Sequence, residues 1–229
     1  MNKSEIDKIK RFLSEKRKIV IIPHKNPDGD AIGSSTALKY YLDNFNHIVD
    51  IISPNQFPEF LKWMDPDNVI KIFDEDEKCS QKIIDAELIF TLDFNNLVRI
   101  AGMKEYVEKS KAKIIMIDHH EEPSDYADFM YSEPNMSSTC EMIYHFIDKM
   151  GDSNKIGKNI SRSLYAGIMT DTGSFKFPST TELTHQVISN LLKTGISHSE
   201  IHNHLSLIHI SEPTRLLSIA DAGFCVKKK

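Results

Sequence analysis

Ile6, Ile9, Phe12 and Leu13 recur at helical spacing and predict an opening helix, for which Ser4 and Asp7 offer a capping box. A compact apolar run then spans Lys18 to Pro23 and reads as a strand ending at His24. Asn26-Pro27-Asp28-Gly29 is a turn, and the stretch from Asp30 to Phe45 places Ile32, Leu38, Tyr41, Leu42 and Phe45 near one helical face. The same alternation continues down the chain. Further strands are expected at Ile48 to Ile52, Val69 to Phe73, Leu88 to Phe94 and Lys113 to Ile117. Helical patterns fall around Phe57 to Met64, Ser80 to Asp85, Val98 to Lys111, Ser138 to Met150 and Ile156 to Ile168. Glu182 to Thr194 predicts another helix stopped by Gly195, and Ser197 with Glu200 forms a capping box for one more near His198.

Short apolar runs separated by amphipathic stretches imply an α/β fold, a parallel β-sheet with helices on both faces. Ligands in such sheets sit beyond the carboxyl ends of strands. His24, Asp93 and the triplet Asp118-His119-His120 all fall at or just after such ends. Composition narrows the partners. The chain has 229 residues, 40% of them hydrophobic, 27% charged, with a formal charge of −5, so no basic surface invites stable binding to duplex nucleic acid. A small anionic substrate is still admissible, because bound cations can supply positive charge locally. Cys79, Cys140 and Cys225 are far apart and form no C-x-x-C pair, which argues against a disulfide framework or zinc knuckle and fits a reducing cytoplasm. The longest early apolar run, Ile19 to Ile22, is far short of a signal segment or a membrane span.

Four clusters carry candidate chemistry. They are His24-Lys25-Asn26-Pro27-Asp28-Gly29-Asp30-Ala31-Ile32-Gly33-Ser34, Asp93, Asp118-His119-His120, and Thr170-Asp171-Thr172-Gly173. Taken singly, each is an ordinary turn, cap or surface feature. Together they gather carboxylates and imidazoles where an α/β protein builds its site. A donor set without thiolates suits Mn²⁺ or Mg²⁺ better than structural zinc. Six ligands are too many for one ion that keeps open positions, and suit a pair about 3.5–4 Å apart.

The combination H-x-N-P-D-G-D-A-I-G-S, D-H-H and T-D-T-G resembles the DHH superfamily of phosphoesterases over residues 1–204. That superfamily includes RecJ-like exonucleases, manganese pyrophosphatases, cyclic-dinucleotide phosphodiesterases and the nano-RNase group, which cleaves short oligoribonucleotides and dephosphorylates 3′-phosphoadenosine 5′-phosphate (pAp). Spacing and size look most like the nano-RNase group. The resemblance implies one metal held by His24, Asp28 and Asp93, and a second held by Asp30, Asp93, His119 and Asp171. It implies that His120 stands beside the reacting phosphate, with Asp118 orienting the neighbouring imidazoles. Arg99 is a candidate phosphate clamp, since a guanidinium offers a bidentate fork. The remaining histidines, His47, His145, His185, His198, His202 and His204, belong to no motif and read as surface or helix residues.

The chain also departs from the family. Members of this type continue into a DHHA1 domain with a G-G-G-H-type motif that holds substrate against the metals, and no such motif occurs here. Residues 205–229, LSLIHISEPTRLLSIADAGFCVKKK, resemble translated sequencing-adapter read-through, so a catalytic domain of residues 1–204 followed by a non-native tail is expected. The implied partners are short RNA and pAp, with a homodimer as a candidate assembly and no membrane. Competing expectations are a cyclic-dinucleotide phosphodiesterase, a RecJ-like single-strand exonuclease, or a non-catalytic nucleotide-binding module, the last of which predicts missing ligands.

Overall fold

The computed structural model describes residues 1–206. Six strands form one parallel sheet: β1 (Lys18–Pro23), β2 (Ile48–Ser53), β3 (Ile70–Ile72), β4 (Leu88–Leu92), β5 (Lys113–Asp118) and β6 (Phe129–Ser132), in the order β3-β2-β1-β4-β5-β6. Ile21 pairs with Ile51 of β2 and with Phe90 of β4, which fixes β1 at the centre. The strands read as continuous apolar runs because both faces are covered. Ile19 and Ile21 enter one hydrophobic core, while Val20 and Ile22 enter the other.

The larger core lies under α1 (Lys3–Phe12), α2 (Gly29–Leu42), α5 (Thr139–Lys149), α6 (Lys158–Asp171), α7 (Glu182–Leu192) and α8 (His198–Ser206). The smaller one lies under α3 (Lys78–Ile84) and α4 (Lys104–Lys109). Helices α2, α5 and α6 meet through small residues. A side chain at Gly33 would stand 2.6 Å from the Ser163 carbonyl and 2.9 Å from Cys140 Sγ, and one at Gly29 would stand 2.5 Å from Thr170 Oγ1. This close approach brings the start of α2 against the end of α6, where the candidate ligands Asp28, Asp30 and Asp171 reside.

Several local expectations are corrected. The capping box of α1 is Asn2 with Glu5, not Ser4 with Asp7: Glu5 N donates to Asn2 Oδ1 at 3.0 Å and Asn2 N donates to Glu5 Oε2 at 2.7 Å. Asparagine is as strong a cap as serine, and the helix starts two residues earlier. Val98 to Lys111 is not one helix. A 3₁₀ segment, Leu97–Met103, is interrupted by Ala101 at φ 50°, ψ −131°, before α4 begins. Glu59–Met64 is also 3₁₀, entered through Pro58, rather than α-helical. Strand β6 adds an edge strand beyond the five expected. His47 is buried rather than on the surface, accepting from Arg17 N at 3.2 Å, and His145 is half-buried against Glu141. The expected tail falls outside the described residues except for Leu205 and Ser206, which continue α8.

Candidate metal centre

In the strand order, connections run outward in both directions from the gap between β1 and β4, and this switch point opens a crevice at the carboxyl ends. His24 directly follows β1, Asp93 directly follows β4, and Asp118 closes β5. Asp93 is aimed by its backbone, which sits at φ 67°, a region that costs most side chains energy but that Asp tolerates through its short polar group. Its N–H donates to the Ile117 carbonyl at 3.1 Å, and its Oδ1 accepts from Thr139 Oγ1 at 3.0 Å. Asp28 caps α2, with Oδ1 accepting from Asp30 N at 3.0 Å and Ala31 N at 3.1 Å, while Oδ2 turns toward His24. The cap reading and the ligand reading of Asp28 therefore describe two oxygens of one carboxylate.

The spacing within the cluster is that of donors around an ion rather than of direct hydrogen bonds. His24 Nε2 lies 3.8 Å from Asp28 Oδ2 and 3.5 Å from Asp93 Oδ2. His119 Nε2 lies 3.6 Å from Asp93 Oδ1 and 3.4 Å from Asp171 Oδ2. Two donors each about 2.1 Å from one cation stand roughly 3–3.5 Å apart, so these gaps need little closing. Both imidazoles are also set to present Nε2. His24 Nδ1 meets the Lys25 carbonyl at 2.8 Å and His119 Nδ1 meets the Met136 carbonyl at 3.3 Å, so each ring donates from Nδ1 and, in its neutral form, would turn the Nε2 lone pair to the cluster. Among the described residues, three groups of side chains could hold an ion: His24, Asp28 and Asp93; Asp30, His119 and Asp171; and Asp93, His119 and His120.

The electrostatics call for positive charge. Asp30 is buried, and its carboxylate accepts from Thr139 N at 2.6 Å and Cys140 N at 2.8 Å at the start of α5. Burial, with Asp93, Asp171 and Asp28 nearby, nevertheless pushes it well above the usual carboxylate range. Asp171 is raised to about 6 by burial and by Asp93 and Asp28, against the pull of His119 and His120. Burial opposes charging of His24, yet Asp28 and Asp93 prevail and raise it to about 10. Crowded carboxylates that hold their protons are the expected state of an anionic cage before a cation enters.

His120 is arranged differently from the other two imidazoles. Its Nδ1 meets Asp118 Oδ1 at 2.7 Å, and Asp118 is fully buried, with Oδ2 unpartnered among the described residues. The Asp118 hydrogen bond raises the His120 pKa against burial and against the repulsion of Arg99. Arg99 is thus close enough for its charge to be felt at His120, and it is solvent-exposed in the 3₁₀ segment. Its backbone is tied in: Lys25 N donates to the Arg99 carbonyl at 2.7 Å. All nine sequence-selected residues therefore converge on the crevice or its rim. Two supports were missed, Thr139 and the Met136 carbonyl. Only the Ser138 cap signal of α5 pointed to that segment.

A family model described as the DHH family, N-terminal domain, matches residues 18–168, from the start of β1 through most of α6. The chain belongs to the DHH family. Among solved DHH relatives, an exopolyphosphatase-related protein from Bacteroides fragilis superposes with a TM-score of 0.86 at 40% identity, covering 89% of this chain and 60% of that one. The bifunctional oligoribonuclease and PAP phosphatase NrnA of Bacillus subtilis is 29% identical over 85% of this chain and 59% of its own length. An uncharacterized Mycoplasma genitalium protein, MG371, is 31% identical over 87% of this chain and 57% of its own. This DHH chain thus spans less than two thirds of each of these relatives.

Proposed function

We propose that this chain carries the catalytic centre of a phosphoesterase that uses two divalent cations to hydrolyse short oligoribonucleotides and pAp. The observation that carries the reading is the Asp93 carboxylate, whose two oxygens face two different imidazoles across the β1–β4 crevice. In this reading His24, Asp28 and Asp93 hold one ion, and Asp30, Asp93, His119 and Asp171 hold the other. Carboxylate and imidazole donors suit Mn²⁺, with Mg²⁺ as the alternative. Cys140 beside Asp30 is fully buried and directs its Sγ to the Asp30 and Ser163 carbonyls at 3.6 and 4.0 Å. Bound there, the ions would activate water and neutralise charge on the phosphoryl group.

The chain's own residues supply the rest. His120, whose pKa the Asp118 hydrogen bond raises, is positioned to hold a phosphoryl oxygen or to give a proton to the leaving oxygen. Asp118 is buried and acts through His120 as a positioning residue. Arg99 grips a further phosphate oxygen through its fork. The substrate class is supported by the activity named for the Bacillus subtilis relative. The formal charge of −5 favours a small anion over a duplex. None of the described helices is long and apolar enough to cross a membrane, and a cytoplasmic setting with a homodimeric assembly belongs to the same proposal.

The test is Mn²⁺-dependent release of mononucleotide from a labelled RNA dinucleotide and of phosphate from pAp. Slow turnover of both by this chain is expected, with Asp118→Asn moving the alkaline limb of the pH–rate profile to lower pH as His120 loses its carboxylate partner. Ion binding without hydrolysis of either substrate would overturn the substrate assignment, and an unmoved limb would overturn the role given to His120.

A further inference from the structure

Glu141, in the first turn of α5, is buried, and its carboxylate takes no part in the chemistry proposed above. The helix does not need it for a start, because Ser138 already caps α5, with Oγ accepting from Glu141 N at 3.0 Å. Ser138 and Glu141 have the spacing of a capping box, in which the glutamate would turn back to the Ser138 N–H. It reaches one residue further instead. Glu141 Oε2 accepts from Ser137 N at 3.2 Å, from Ser137 Oγ, and from Thr184 Oγ1 of α7 at 3.0 Å. Burial opposes the charge, yet His145, Ser137 and Thr184 prevail and hold the carboxyl below its usual range. A buried carboxylate is costly unless its hydrogen bonds are made, so these donors and Glu141 fix one another in place.

What Glu141 holds is a wall of the metal centre. Three candidate ligands lean on the stretch 136–140 between β6 and α5. His119 Nδ1 meets the Met136 carbonyl at 3.3 Å, and Thr139 Oγ1 donates to Asp93 Oδ1 at 3.0 Å. The N–H groups of Thr139 and Cys140 donate to the Asp30 carboxylate at 2.6 and 2.8 Å. The Met136 carbonyl and the Ser137 N–H moreover belong to one peptide group, which is planar and trans, so its two polar atoms point in opposite directions. Glu141 takes one end of that peptide and His119 takes the other. We infer that Glu141 is a positioning residue of the metal centre, aiming His119 through the Met136–Ser137 peptide and seating the wall that supports Asp30 and Asp93. It acts on the ion assigned to Asp30, Asp93, His119 and Asp171 rather than on that of His24 and Asp28. Thr184 ties this support to α7, which carries none of the candidate ligands. The inference rests on the two-ion reading above, and the His119 ring tests it without any ion.

Glu141→Leu removes the acceptor and leaves the site apolar, whereas Glu141→Gln keeps an oxygen for the same donors. In Mn²⁺ titrations of the whole 229-residue chain, well below its melting temperature, Glu141→Leu should weaken one of the two binding steps about tenfold, and Glu141→Gln should recover most of that loss. Nitrogen NMR of the histidines, in chelator at alkaline pH, gives the second readout. The His119 signals, assigned by their absence in His119→Gln, should show the proton on Nδ1 in the unaltered chain and in Glu141→Gln, and shared with Nε2 in Glu141→Leu. A lower melting temperature in Glu141→Leu with Mn²⁺ affinity and tautomer unchanged would overturn the inference, leaving the carboxylate a role only in packing α5 on α7. Equal losses in Glu141→Leu and Glu141→Gln would overturn it too, since charge and not hydrogen bonding would then be at work. If Glu141→Leu does not fold, Ser137→Ala takes its place: it removes one donor and keeps the carboxylate, so a severalfold weaker step is expected and an unchanged one overturns the inference. If the unaltered chain binds no Mn²⁺, the phosphoesterase reading fails, while the tautomer still decides here: a displaced proton in Glu141→Leu sustains the role of Glu141 and an unmoved one ends it.

Discussion

On the proposed two-ion reading, replacing Asp93 with asparagine should reduce the bound ions from two to one, and the hydrogen bond from Thr139 selects the one that goes. Asparagine tolerates the left-handed backbone at φ 67° almost as well as aspartate, so the fold is kept. Thr139 Oγ1 donates to Oδ1 at 3.0 Å, so the amide oxygen of the variant stays at that position. Its NH₂ then takes the place of Oδ2, 3.5 Å from His24 Nε2, and presents a donor where a cation would bind. The ion of His24 and Asp28 is lost, while that of Asp30, His119 and Asp171 persists with a neutral neighbour. Each ion at a hundred times its dissociation constant adds about 2.7 kcal/mol, or about 5–11 °C of melting temperature for a chain of this size. The Mn²⁺-induced shift should therefore fall from about 10–20 °C to roughly half. Elemental analysis after desalting gives the stoichiometry, and thermal melts with and without chelator give the shift. Two retained ions in the variant, or an unchanged shift, would refute the bridging role of Asp93.

Two further outcomes follow from the same geometry. His24 is raised from 6.5 to about 10, so its contribution in chelator is fully present below pH 6.5 and is lost as pH rises through about 10. The chelated parent should therefore lose melting temperature across that window more steeply than His24→Gln, and parallel curves would remove His24 from the cause. Gly33→Ala should lower stability by about 1–2 kcal/mol in urea titration, because the overlap with the fixed Ser163 carbonyl outweighs the gain in helix propensity; equal midpoints would show that α2 and α6 can part without loss.

Much of this arrangement is visible in the sequence, for reasons that also explain where visibility ends. Strands β1, β4 and β5 are buried on both faces, so their apolar runs stand out and their ends announce His24, Asp93 and Asp118. Strand β6 is a four-residue edge strand with mixed burial and leaves no such run. The break at Ala101 rests on a left-handed alanine, which no propensity rule would place. The candidate ligands are legible because each falls at or near an element end, whereas their support is not. Asp30 leans on the backbone N–H groups of Thr139 and Cys140, which are contacts indifferent to side-chain type.

The hydrogen bond from Lys25 N to the Arg99 carbonyl gives the site a common datum. One peptide later than the His24 side chain, the backbone is pinned to Arg99, an exposed residue of the 3₁₀ segment. The backbones beside His24 and at Arg99 are thus tied at one point in space, although they lie far apart along the chain. A disturbance that shifts the loop after β1 carries the arginine's backbone with it, so the span between them is conserved while its position is not. Such a centre is calibrated internally, like a caliper moved as a whole, and its accuracy does not depend on how the surrounding elements settle.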